Sequence, residues 1–126
     1  MKPWKHNPCN TPETLSDPQW PIYTAAEQSP QTPAIDLHQE HCTDDASAMQ
    51  AVRSFLEHEQ AQGRRIEDKV VRIIHGRGYG RLKNKTHDLL NSMRQEKESY
   101  ILDWRDSTRP GETGGVTYVR LAPNAR

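Results

Sequence analysis

Ala34-Ile35-Asp36-Leu37-His38 alternates apolar and polar positions, the period of a half-buried strand. Thr43 then offers a helix cap, with Asp44 and Asp45 in the first turn where the helix dipole favours acidic groups. Ala46, Met49, Val52 and Phe55/Leu56 recur at helical spacing, and Gly63 supplies a stop. Residues 69–74 are rich in β-branched side chains and bounded by charge and glycine, which predicts a second strand. Leu82, Thr86, Leu89/Leu90 and Met93 mark a second helical face. Tyr100-Ile101-Leu102-Asp103-Trp104 predicts a third strand, residues 110–115 a loop, and residues 116–121 a fourth strand. The order is βαβαββ. Short βαβ crossovers make the first strands parallel with right-handed connections, and a polar loop returns the last strand antiparallel. The expected fold is a two-layer α/β sandwich with a four-stranded mixed sheet over residues 34–122, without internal repeats.

The preceding segment has no such periodicity. Seven of the nine prolines fall in residues 1–33, and a segment of this kind buries too little apolar surface to offset its ordering entropy. Residues 1–33 are therefore expected to be a largely extended tail, and residues 123–126 a short C-terminal one. Trp20-Pro21-Ile22-Tyr23 is the exception in composition: its aromatics either dock on a partner or fold back on the domain's own sheet. Taken as a targeting element, the tail is expected to be removable at residue 33 with little change in melting temperature.

Net charge is zero over 126 residues, which excludes a broadly polycationic nucleic-acid binder. The charge is uneven, however: residues 36–59 carry six acidic side chains against one Arg, and residues 69–87 carry six Lys/Arg and no acid. A local basic face of this kind steers anions even in a neutral protein. Two cysteines, Cys9 and Cys42, make no disulfide framework. No long apolar run or signal-peptide stretch is present, so neither a membrane partner nor secretion is expected, and a cytoplasmic location is the default.

The strand at 69–74 runs directly into His75-Gly76-Arg77-Gly78-Tyr79-Gly80. Alternate glycines allow positive φ and close approach of another molecule. A glycine-rich turn between strand and helix aims N–H groups at an anion, and the basic surroundings, including Arg81 and Lys83, suggest phosphate. His38 ends the first predicted strand and His75 the second, so both reach the carboxyl edge of a parallel pair, where ligands gather. Asp36 and His38 share a strand face. A carboxylate beside an imidazole fixes its tautomer, a preparation for acid–base work.

Ile35-Asp36-Leu37-His38 resembles the LDLHG motif of the Smr (small MutS-related) domain, and residues 75–80 match its HGxGxG motif in full. Residues 114–121 are similar to the family's terminal glycine-plus-strand segment. The resemblance covers roughly residues 34–122. It implies a sandwich like the C-terminal domain of translation initiation factor three, and nucleic-acid binding with endonuclease activity on RNA or DNA, including messenger RNA at stalled ribosomes. One departure is Gln39, where the family motif has Gly.

The expectation is therefore a phosphodiester endonuclease. Asp36 and His38 are the catalytic pair, and His75, Gly76, Arg77, Gly78, Tyr79, Gly80, Arg81 and Lys83 bind substrate. His75 either positions the loop or acts as a second acid–base group, Arg77 contributes charge, and Tyr79 offers a ring for base stacking. The alternative is a nucleic-acid-binding adaptor without catalysis, which Gln39 favours. On RNA the 2′-OH supplies the nucleophile and no cofactor is needed; on DNA, Mg²⁺ would activate water. Asp36, His38, Glu40, His41 and Cys42 offer mixed metal ligands, but neighbours on a strand point to opposite faces and no zinc-type spacing appears, so no metal site is expected. With no further domain in the sequence, targeting falls to the tail, a protein partner, the ribosome or substrate shape.

Overall fold

A computed structural model of the chain describes residues 20–38, 44–76, 80–112 and 114–124. Its elements are α1 (Trp20–Gln28), β1 (Ala34–Asp36), α2 (Asp45–Ala61), β2 (Lys69–Ile74), α3 (Arg81–Arg94), β3 (Ile101–Asp106) and β4 (Val116–Leu121). The four strands form one mixed sheet in the order β1-β2-β4-β3. β1 pairs parallel with β2, while β4 lies between β2 and β3 and is antiparallel to both.

The alternation of β4 explains how the sheet is covered. Val119 and Leu121 join the main core with Val71 and Ile73 of β2, Ala48, Val52 and Leu56 of α2, and Leu90 and Met93 of α3. The intervening Val116 and Tyr118 belong to a second cluster with Tyr23 and Ala26 of α1. A central strand covered on both faces buries side chains at consecutive positions, as Val116-Thr117-Tyr118-Val119 does. Helices α2 and α3 thus cover one face and α1 packs on the other.

That last contact corrects an expectation. Residues 20–28 are helical, not extended, and Tyr23 is only 2% exposed. Pro21 is harmless in the first turn, where its missing N–H has no intrahelical role. A nine-residue helix is marginal alone; tertiary bonds hold it. The Tyr23 hydroxyl donates to Asp103 of β3. Glu27 accepts from the Thr108 N–H at 2.8 Å, and Arg109 donates to the Glu27 carbonyl at 2.8 Å. Residues 1–19 lie outside the described set.

Two smaller differences bear on the site. The cap of α2 is Asp44, whose Oδ1 accepts from the Ser47 N–H at 2.7 Å; Thr43 lies outside the described residues. Strand β3 continues two residues past Trp104, and its pairing places Asp106 opposite Thr117. Gly63 follows α2 with φ 65, the left-handed stop anticipated from the sequence. Among the described residues, no helix is long and apolar enough to cross a membrane.

Candidate nucleic-acid interface

Parallel pairing sets the site. β1 and β2 run in register from Ala34↔Arg72 to Asp36↔Ile74, and the Leu37 N–H extends the ladder to the Ile74 carbonyl at 3.0 Å. Two residues further along, His38 and Gly76 face each other. The His38 imidazole lies so close to Gly76 that a Cβ there would overlap it, with Nε2 the nearest atom. Gly76 also has φ +79, a backbone that L side chains rarely adopt. This glycine is required twice: for its turn and for the ring beside it.

Asp36 does something other than expected. Its Oδ1 accepts the His38 main-chain N–H at 2.9 Å, closing a side-chain turn at the end of β1. The carboxylate therefore aims His38 through the backbone, not through the ring nitrogens. His38 itself is exposed.

The glycine loop also departs from its expected role in part. The His75 and Gly76 N–H groups both donate to the Gly115 carbonyl at 3.0 Å. Gly76 therefore spends its N–H on the Gly115 carbonyl and does not aim it at a ligand. Arg77, Gly78 and Tyr79, with Gln39, Glu40, His41 and Cys42, lie outside the described residues. Gly80 caps α3 with φ 79 and no side-chain bond, so the helix N-terminus opens directly from the loop. Arg81 is 74% exposed and bonds Asp45 of α2 through Nε at 3.1 Å. Lys83 Nζ lies 3.8 Å from Asp106 Oδ2.

His75 is buried rather than presented to solvent, with 2% exposure. Its Nδ1 lies 3.1 Å from the Gly76 carbonyl, which can only accept, so the network assigns the proton to Nδ1. Its Nε2 meets Thr117 Oγ1 at 2.9 Å. Burial pushes the imidazole below its ordinary value, against the Gly76 bond, which favours the charged form. Of the two roles open to His75, this placement matches positioning the loop.

Around Thr117 gathers a cluster absent from the sequence reading. Its hydroxyl lies 3.0 Å from Asp106 Oδ1 and 3.2 Å from His87 Nε2, and His87 Nε2 lies 2.9 Å from the same Asp106 oxygen. The His87 ring stacks on Trp104, with centroids 4.2 Å apart. One signal was visible: Thr117 is a polar residue in a strand that is otherwise apolar on that face. His87 and Asp106 carried none, since helix and strand periodicity do not say which side chains meet.

Comparison with known proteins agrees with this geometry. The model of the Smr domain matches residues 35–122. No curated protein matches the chain. Among solved structures, the Smr domain of Thermus thermophilus MutS2 is 31% identical and superposes with a TM-score of 0.55, covering 73% of this chain and 100% of that one. The Smr domain is associated with nucleic-acid binding and nuclease activity. Motif, fold and sequence agree over one span, and the chain belongs to the Smr domain family.

Proposed function

We propose that this chain is a phosphodiester endonuclease acting on RNA, with His38 moving the proton. The observation that carries the reading is the exposed His38 imidazole seated against Gly76, beside the glycine loop and the open N-terminus of α3. A phosphate held by residues 77–83 would lie next to the ring. On RNA the 2′-oxygen attacks phosphorus as its proton leaves, and the P–O5′ bond breaks as that oxygen gains one. The products are a 2′,3′-cyclic phosphate and a 5′-hydroxyl. Asp36 holds the turn that presents His38, and His75 anchors the loop from below. A cytoplasmic setting and a protein or ribosome partner for residues 1–19 belong to the same reading.

The test is cleavage of a model RNA. General acid–base groups contribute about 10²–10⁴-fold, so His38→Ala should slow cleavage on that scale with little change in affinity. The ends should be cyclic phosphates, also in chelator. Equal cleavage by variant and parent removes His38 from the mechanism, and 5′-phosphate ends on both RNA and DNA point to water activated by Mg²⁺. The bond from Asp36 to main chain instead of imidazole favours a second reading, the non-catalytic adaptor. Binding without cleavage by the parent chain would select it.

Phosphate contact also predicts a salt dependence. Replacing Arg77, Arg81 and Lys83 together by alanine should flatten the log K against log[salt] slope by about 0.7 per lost contact on single strands. An unchanged slope would mean that no phosphate is held by these three and that Arg81 and Lys83 serve only their ion pairs with Asp45 and Asp106.

A further inference from the structure

Three side chains converge on the Thr117 hydroxyl. His75 donates Nδ1–H to the Gly76 carbonyl, which leaves a lone pair on Nε2 facing Thr117 Oγ1 at 2.9 Å. Asp106 Oδ1 faces the same hydroxyl at 3.0 Å. One hydroxyl proton serves one of these two acceptors, not both. His87 Nε2–H is directed at Asp106 Oδ1, 2.9 Å away, and does not satisfy His75. When the hydroxyl serves His75 and His87 serves Asp106, the contact between Thr117 Oγ1 and Asp106 Oδ1 holds no proton, so two oxygens and a ring nitrogen crowd one point.

We propose that His75 Nε2, His87 Nε2 and Asp106 Oδ1 form a Zn²⁺ site. One ligand atom from each of the three residues lies within 4.8 Å of the other two, and His87 Nε2 and Asp106 Oδ1 are 2.9 Å apart. Zinc bonds of about 2.0–2.1 Å place tetrahedral ligand atoms about 3.4 Å apart, inside that range. Two imidazoles and a carboxylate suit zinc better than the all-oxygen shells of Mg²⁺. The outer partners are also those of a metal site. The Gly76 carbonyl takes the far N–H of His75 and fixes its tautomer, and the His87 ring is held against Trp104. Thr117 Oγ1, within 3.2 Å of all three ligand atoms, offers a further oxygen. Lys83 opposes the ion: its ammonium is 3.8 Å from the other Asp106 oxygen. The site stands apart from the proposed cleavage, because none of its ligands is His38. Its effect would be to tie α3, β3 and the start of the glycine loop together.

Zinc titration of the metal-free full chain tests this, with Co²⁺ as a spectroscopic substitute. One tight equivalent should bind, raise the melting temperature and give a Co²⁺ spectrum without a thiolate charge-transfer band. Asp106→Asn and His87→Ala should each weaken uptake by at least about 100-fold, beyond the 10–100-fold typical of residues that only support ligands. His38→Ala and a Cys9→Ser/Cys42→Ser double variant should keep the site, and Lys83→Ala should tighten it. Asp106 lies at the accessible side of the cluster, with its side chain 39% exposed, so Asp106→Asn can be read even if His87→Ala folds poorly. No tight equivalent, a thiolate band, or full uptake by folded Asp106→Asn overturns the proposal. Loss of cleavage with uptake intact would bear on the proposed nuclease alone.

Discussion

Tyr23→Ala should lower stability by about 3–5 kcal/mol, the cost of removing a fully buried aromatic ring. The ring packs with Val116 and Tyr118 on the sheet face that α2 and α3 leave uncovered, and Arg105 lies 5.3 Å from its centroid. A loss of this size is a large part of the 5–15 kcal/mol that typically separates folded from unfolded. Chemical denaturation of parent and variant measures it. A change below about 1 kcal/mol would show that α1 adds nothing to the fold, since surface substitutions stay near that range. The same contacts reverse the expectation for a chain shortened at residue 33, which should now melt well below the parent. Tyr23→Phe separates ring from hydroxyl. It keeps the packing and loses one bond to Asp103, a carboxylate that Arg120 still holds through two nitrogens at 3.1 Å, so about 1 kcal/mol is expected.

The hydroxyl also sets an alkaline limit. Burial first, and then the bond to Asp103, push the Tyr23 phenol well above its ordinary value. A group whose folded value is raised contributes stability that is whole below its unfolded value, about 10 for tyrosine, and lost as pH rises beyond it. The parent should therefore lose stability above about pH 10 more steeply than Tyr23→Phe.

Gly76→Ala should nearly abolish cleavage while costing stability only moderately. Forcing an L residue into the left-handed region costs about 1–2 kcal/mol. The larger consequence is steric: the new methyl needs the space of the His38 imidazole, so the ring must leave the position from which it is proposed to act. Cleavage should fall by about the 10²–10⁴-fold of His38→Ala, and combining the two substitutions should add little, because both remove the same group. Multiplicative losses would indicate that Gly76 acts on substrate by itself. Cleavage within a few-fold of the parent would mean that the contact between His38 and Gly76 has no part in the reaction.

Local periodicity was enough to place six of the elements, because each rests on neighbours along the chain. Valine and isoleucine at residues 70–74 write a strand regardless of partner, and Leu82, Thr86, Leu90 and Met93 write one helical stripe. The meeting of His38 with the glycine loop was legible for a similar reason. A βαβ unit leaves little choice but parallel pairing, so two strand ends had to arrive at one edge.

The helix at 20–28 was not legible. Its nine residues are too few to show a helical period, the prolines on either side of it argue for extended chain, and only the uncovered side of β4 gives Tyr23 a place to be buried. Nor could spacing tell that Asp36 would accept from a main-chain N–H instead of an imidazole, since both donors belong to a residue two positions away. The cluster around Thr117 depends on strand order. β4 inserts between β2 and β3, which pairs Ile74 with Val116 and Asp106 with Thr117, and so carries His75 and Asp106 to the same hydroxyl, where α3 adds His87. The sequence by itself determined the elements and the motif at the strand ends, since both follow from interactions between residues close along the chain. Only the tertiary structure decided what covers the second sheet face and which polar groups share a proton, because those depend on contacts between segments tens of residues apart.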